Sequence, residues 1–268
     1  MISMSRIAAQ LYTLRDYTTS AAGFRTTLRR IAEMGYRYAQ LSAVGCMDGA
    51  SPEVDAKAAK ELLDDAGIQA ALTHRPWDEI RNRTDECIAF HKALGAELVG
   101  IGSMPGEYRK DGADGFRRFA DDAAEPIARL KAAGLLFAYH NHSFEFERFP
   151  PHGQTGFEIM IERGPSDMKA ILDTYWVVHA GVDLGDLVSR LHGRIPMIHV
   201  KDKAVVEGEV RMAPVGEGNL NWDAILPACA IAGTGLYAVE QDDCYGRDPF
   251  ECLASSYRFL EAKLPKTQ

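Results

Sequence analysis

Ala133-Gly134-Leu135-Leu136-Phe137-Ala138-Tyr139-His140-Asn141-His142 carries three structural instructions in one short stretch. A glycine just past a helical segment closes that helix by taking the left-handed conformation. The apolar run from Leu135 to Tyr139 then reads as a buried strand. It stops at two histidines spaced two apart, and on a strand such residues project to one face. Two imidazoles at the end of a buried strand carry a desolvation cost that packing alone does not offset. The plainer alternative is a hydrogen-bonded pair that closes off a barrel. Two carboxylates, Glu145 and Glu147, stand close behind.

The same order of helix end, glycine and apolar strand recurs along the chain. Met34-Gly35 precedes residues 36–41, Ala66-Gly67 precedes 68–74, and Leu94-Gly95 precedes 97–101. Ala232-Gly233-Thr234-Gly235 precedes residues 236–240, and residues 6–12, 167–173 and 195–200 complete a set of eight strands. Between them lie helical stretches such as 21–34, 53–66 and 248–263. In the first, Phe24, Leu28, Ile31 and Met34 recur at helical spacing and form a core face. Ser51-Pro52-Glu53 reads as an N-cap before a first-turn proline, and Asp248-Pro249-Phe250-Glu251 as a capping box. Eight β-α units within residues 1–268 fit one (β/α)8 TIM-barrel domain. A doubly wound open sheet is the alternative, but no GxGxxG fingerprint follows the first strand.

Composition narrows the function. The net charge of -8, without a basic cluster, argues against a nucleic-acid surface and against anionic membranes. No apolar run approaches the ~18 residues of a membrane span, and no signal peptide is visible, so a cytoplasmic location is expected. The five cysteines are odd in number, scattered and free of CxxC spacing, which favours reduced thiols over disulfides or a thiolate zinc site. A homo-oligomer is compatible with this composition.

In a (β/α)8 barrel the chemistry sits at the C-terminal ends of the strands. Here those ends carry Gln10 and Tyr12, Gln40, His74, His140 and His142, Asp173, then His199, Lys201 and Asp202, and finally Glu240 with Gln241, Asp242 and Asp243. Asp173, His199 and Glu240 fall on neighbouring strands and offer oxygen and nitrogen ligands to a divalent metal. Without thiolates, Mn²⁺, Mg²⁺, Co²⁺ and Zn²⁺ all suit such a set. For any one of these residues the alternative is a helix cap or a salt bridge.

At these residues the chain resembles the sugar phosphate isomerase/epimerase family within the xylose isomerase-like TIM barrel superfamily. The resemblance spans nearly the whole chain. It rests on Gln10-Leu11-Tyr12-Thr13-Leu14-Arg15, Tyr139-His140-Asn141-His142, Leu172-Asp173-Thr174-Tyr175-Trp176, His199-Val200-Lys201-Asp202, the run from Val215 to Trp222, and Val239-Glu240-Gln241-Asp242-Asp243. It implies a divalent metal, Mn²⁺ first, held by residues from strands five to eight. Asp173, His199 and Glu240 match the last three positions. Strand five lacks the family's glutamate, so His140 takes its place by strand position, or Glu145 folds back from the following loop. By the same resemblance Glu240 would abstract a proton next to a carbonyl, with His142 or Glu145 serving the opposite face. Gln10 and Lys201 would contact a sugar or cyclitol, His74 would line the pocket or make a structural hydrogen bond, and Trp176 would stack on a sugar face or pack. Lys201 would bind a hydroxyl or a phosphate, or else pair with Asp202.

Three further stretches carry weaker expectations. Trp222 is a candidate for a sugar face or for packing. Gly216-Glu217-Gly218 reads as a lid or as a plain turn. The stretch from Gly102 to Gly106 offers backbone amides without the lysine of a phosphate loop. The leading expectation is a metal-dependent sugar isomerase or epimerase. A lyase that dehydrates an inosose or cleaves a 3-oxo-glycoside comes second. An endonuclease IV-type phosphodiesterase is disfavoured by the acidic charge, and a non-catalytic sugar-binding subunit by the concentration of ligand-type residues at the strand ends.

Overall fold

The computed structural model describes residues 6–151 and 153–265. Within them eight parallel strands close a barrel: β1 (Arg6–Gln10), β2 (Tyr38–Leu41), β3 (Gln69–His74), β4 (Leu98–Ile101), β5 (Leu136–His140), β6 (Lys169–Asp173), β7 (Met197–Val200) and β8 (Leu236–Val239). Each strand pairs with its neighbours in sequence, and β8 closes onto β1 in the register Arg6↔Leu236 to Ala9↔Val239. Helices surround the strands, which makes the chain a single-domain (β/α)8 TIM barrel. Among the described residues no helix is long and apolar enough to cross a membrane.

The glycines that punctuate the sequence act as expected. Gly35, Gly67, Gly95, Gly134 and Gly233 have φ of 113°, 68°, 77°, 77° and 90°. Gly35 is the most constrained of them: its N–H bonds the carbonyls of Ile31 and Ala32, and a Cβ there would lie 2.4 Å from the Tyr257 ring. Helix Ala21–Met34 buries Phe24, Leu28 and Ile31 against the strands. Inside the barrel, beneath the strand ends, Ala8, Ala138 and Ala238 alternate with larger Leu72, Ile171 and Met197 and fill the interior.

Several boundaries differ from the sequence reading. The first strand ends at Gln10, because the Gln10 side chain accepts a hydrogen bond from the Tyr12 N–H and turns the chain into the 3-10 helix Leu11–Tyr17. The second helix starts at Ala56 rather than residue 53, since Asp55, not Ser51, supplies the cap to the Ala58 N–H at 2.8 Å. Asp248 caps the last helix through the Phe250 N–H, while a full capping box forms elsewhere, between Thr155 and Glu158. β5 ends at His140, so His142 lies in the loop beyond it and not on the strand.

After β7 the chain runs directly into an antiparallel hairpin, Asp202–Val206 with Glu209–Ala213. Asp202 anchors the segment that follows. Its carboxylate accepts hydrogen bonds from the backbone N–H groups of Lys203, Gly216, Gly218 and Leu220 and from Trp222 Nε1. That observation decides between the alternatives at two stretches. The Gly216-Glu217-Gly218 loop is pinned as a turn rather than hanging free as a lid, and Trp222 is buried as an anchor rather than open to a sugar. Lys201 is not paired with Asp202, whose oxygens face this turn. Asp202→Ala leaves five donors without their acceptor and should lower stability by about 3 kcal/mol; a shift of the urea midpoint measures it, and an unchanged midpoint would contradict the anchoring role.

Candidate active site

β6 and β7 pair in the register Asp173↔His199, and Glu240 is the first residue after β8. This brings Asp173, His199 and Glu240 together beside His140 at the end of β5. One ligand atom from each of these four buried residues lies within 4.8 Å of the others. Glu145 does not join them. It is fully buried, with one carboxylate oxygen accepting from the Tyr139 hydroxyl at 2.7 Å and the other from the His142 N–H at 2.8 Å. The strand-five member of the cluster is therefore His140.

The hydrogen bonds around the cluster orient it. His140 Nδ1 donates to the Gly102 carbonyl at 2.9 Å, which leaves Nε2 facing Asp173 Oδ2 at 3.3 Å. His199 Nε2 donates to Gln40 Oε1 at 2.8 Å, which turns the Nδ1 lone pair toward Glu240 Oε2, also 2.8 Å away. Gln40 Nε2 contacts His74 Nε2 at 2.9 Å, and His74 Nδ1 contacts Ser42 Oγ at 3.2 Å. The chain Ser42, His74, Gln40, His199 thus fixes one tautomer of His199. Glu240 Oε1 accepts from Gln10 Nε2 at 2.6 Å, and Asp173 receives a backbone bond from Trp176 and binds Asn141 through its own N–H.

Two cluster atoms lack an aligned partner. His199 Nδ1 and Glu240 Oε2 are buried and form no aligned hydrogen bond among the described residues, although they lie 2.8 Å apart and the Lys201 ammonium pairs with Glu240 Oε2. Two imidazole nitrogens and two carboxylate oxygens within 4.8 Å of one another suit a divalent cation with oxygen and nitrogen preference. The residues present therefore fit such a metal.

Lys201 crosses the cluster. Its ammonium lies 3.1 Å from Asp173 Oδ2, 3.0 Å from Glu240 Oε2, and 3.0 and 3.1 Å from the two oxygens of Asp242. Burial opposes its charge, but Asp173, Glu240 and Asp242 outweigh that and raise its pKa. Reciprocally, burial pushes Asp173 and Glu240 up, yet the Lys201 charge and the nearby imidazoles hold both below the usual carboxylate range. Asp242 is raised to about 6 by burial and by Glu240.

A cavity of about 270 Å³ opens beside the cluster, lined by Gln10, His74, His140, His142, Lys201 and Glu240 among others. The His142 ring lies 4.8 Å from that of His140, so the two imidazoles do share a face, although a loop rather than a strand presents the second. Burial, then the neighbouring His140, lowers His142 to about 4, and its Nδ1 has no partner among the described residues. Burial also keeps His74 far below its ordinary value. Trp176 stands behind the cavity wall, 5.5 Å from the His142 ring and 5.7 Å from the Lys201 ammonium. A larger cavity of about 360 Å³ between helices on the flank, lined by Val182, Leu184 and Ile225, holds none of the candidate residues.

A family model described as "Xylose isomerase-like TIM barrel" matches residues 28–262. The chain belongs to the xylose isomerase-like TIM barrel family. Over 250 residues it is 26% identical to an inosose dehydratase of Lacticaseibacillus casei, which covers 78% of this chain and 82% of the relative. A sugar phosphate isomerase/epimerase structure from Parabacteroides distasonis superposes with a TM-score of 0.79 at 23% identity, over 96% of this chain and 94% of the other. The structure of an L-ribulose 3-epimerase superposes with a TM-score of 0.72 at 17% identity, over 97% and 94%. At such identities the two structural matches speak for the fold alone.

Gln40, Asn141, Asp242 and Ser42 carry roles that sequence reading did not assign. Gln40 and Asp242 stood at strand ends, the one available signal; the contacts of Asn141 and Ser42 depend on neighbouring strands. Asp173→Ala should abolish bound divalent metal, as read by elemental analysis of the purified protein. Gln40→Leu frees the His199 ring to take the wrong tautomer and should weaken metal affinity by roughly 10–100-fold, as outer-shell losses do.

Burial lifts the Glu145 carboxyl from 4.5 to about 7, so folding favours its protonated form. Its contribution to stability is complete below the unfolded value and disappears as pH rises through about 7, by up to roughly 3 kcal/mol. Glu145→Gln should flatten the pH dependence of the denaturation midpoint across that window; an unchanged slope would contradict the assignment.

Proposed function

We propose that this protein is a divalent-metal-dependent enzyme that removes a proton from the carbon next to a carbonyl of a sugar or cyclitol. The observation that carries the reading is the convergence of His140, Asp173, His199 and Glu240, whose ligand atoms lie within 4.8 Å of one another at the wall of a polar cavity. His140, Asp173, His199 and Glu240 would hold the ion, with Mn²⁺ the first choice. A bound divalent cation supplies Lewis-acid stabilisation of the negative charge that develops when the proton leaves.

The chain's own groups divide the remaining work. Glu240, kept ionised by Lys201 and oriented by Gln10, accepts the proton. His142 faces the cavity as a neutral imidazole and provides a second proton-transfer group, while Glu145 holds the His142 loop in place from below. Gln10, His74 and Lys201 line the space where substrate hydroxyls would sit, and Trp176 buttresses His142. Returning the proton at a neighbouring or inverted position gives isomerisation or epimerisation, the first reading of the outcome.

Elimination is the second reading, and one observation favours it. Strand five contributes an imidazole where the ketose epimerases of the family use a second glutamate, and Glu145 is tied to Tyr139 and the His142 backbone instead of filling that role. An elimination needs one base at the α-carbon and one acid at the leaving group rather than a matched pair of carboxylates. The likeness to an inosose dehydratase points the same way.

Incubating the Mn²⁺-loaded protein in D₂O with ketoses, inososes and 3-oxo-glucosides, followed by NMR, tests the reading. Deuterium at the carbon next to the carbonyl is expected, with a new double bond or a released aglycone marking elimination. No exchange and no product across that panel would overturn it. His142→Gln should lower kcat/KM by roughly 10²–10⁴-fold, the usual worth of an acid-base group, while metal content stays at the wild-type level.

A further inference from the structure

Lys201 touches the same atoms that a metal would need. Its ammonium contacts Asp173 Oδ2, which also faces His140 Nε2, and Glu240 Oε2, which also faces His199 Nδ1. Both ligand oxygens of the carboxylate corner are thus shared with a fixed positive charge. The lysine backbone has no freedom to withdraw: the Lys201 N–H donates to Thr174 Oγ1 at 3.0 Å, and the Thr174 hydroxyl donates to the Lys201 carbonyl at 2.7 Å. Only the side chain can move. A receiving group already stands beside it, because both oxygens of Asp242 lie within 3.1 Å of the ammonium, and Asp242 forms part of the cavity wall.

We propose that Lys201 is a built-in competitor of the metal, an internal counter-cation that holds the carboxylate corner together in the metal-free protein and withdraws onto Asp242 when a divalent ion enters. The proposal rests on the metal-centre reading above. Without a cation, Asp173, Glu240 and Asp242 would confront one another as buried negative charges, a costly arrangement. The ammonium removes that repulsion and keeps the site formed. The same proximity makes it repel an incoming divalent ion, and movement toward Asp242 relieves the repulsion while keeping the lysine paired. Gly218 and Trp222 hold the other nearby carboxylate, Asp202, out of this exchange.

Calorimetric titration of metal-stripped protein with Mn²⁺, together with the melting temperature of the metal-free form, tests the idea. Lys201→Met should melt lower when metal-free and bind Mn²⁺ tighter by roughly tenfold or more, since a nearby positive charge has been removed. Asp242→Asn takes away the refuge of the ammonium and should weaken Mn²⁺ binding by about tenfold; most of that loss should vanish in the Lys201→Met/Asp242→Asn double variant, because the two effects share one interaction. Affinity unchanged or weakened in Lys201→Met would overturn the proposal, as would an Asp242→Asn loss of equal size with and without Lys201. Asp242 is half-buried at the cavity wall, so its variant keeps the test open should Lys201→Met fail to fold. A wild-type protein that takes up no Mn²⁺ would sink the metal-centre reading itself, a result distinct from either of these.

Discussion

Three carboxylates and one ammonium share the mouth of the barrel, and the surrounding structure is arranged to make that tolerable. Asp173, Glu240 and Lys201 are at most 5% exposed. Taking such charges out of water costs several kcal/mol each unless every oxygen and proton finds a partner. Here Gln10 and the Trp176 N–H donate to the carboxylates, and the Lys201 ammonium pairs with Asp173, Glu240 and Asp242. The barrel permits this because parallel strands deliver their last residues to one rim, where contributions from five different strands meet.

The layers outside the cluster set its chemistry. Gly102, on the loop after β4, fixes the His140 ring, and Gln40 on β2 fixes His199. An imidazole that donates through one nitrogen presents a lone pair on the other, so the nitrogens facing the cluster are the ones able to act as ligands. Asn141, fully buried between the two histidines of the β5 loop, accepts the Asp173 N–H and couples the strand-five loop to strand six. The tie is mechanical, and it places His142 beside the cavity.

Glu145 and Asp202 show how carboxylates near the cluster can be taken up by local hydrogen bonds. Each directs its oxygens into neighbouring backbone and side-chain donors and none toward the cavity. Their sequence neighbourhoods resemble those of the cluster residues, yet Asp202 begins a hairpin and Glu145 sits in a 3-10 turn. With Glu145 outside the cavity lining, the strand-five member of the cluster is an imidazole, and Asp173 and Glu240 are its carboxylates.

The sequence by itself determined the barrel and most of the cluster. Glycines after helix ends and apolar runs of strand length are local signals, since left-handed backbone and buried strands each demand particular residues at particular spacings. A polar residue at a strand end is equally local, and it was enough to single out Asp173, His199, Glu240 and His140. The choice between His140 and Glu145, the roles of Gln40 and Asn141, and the partners of Lys201 were decided only by tertiary structure. Each depends on which side chains from distant strands meet at the rim, and on where a loop turns once its carboxylate has found donors. Those are consequences of closing the barrel, where residues as far apart as Gln10 and Glu240 come within hydrogen-bonding distance.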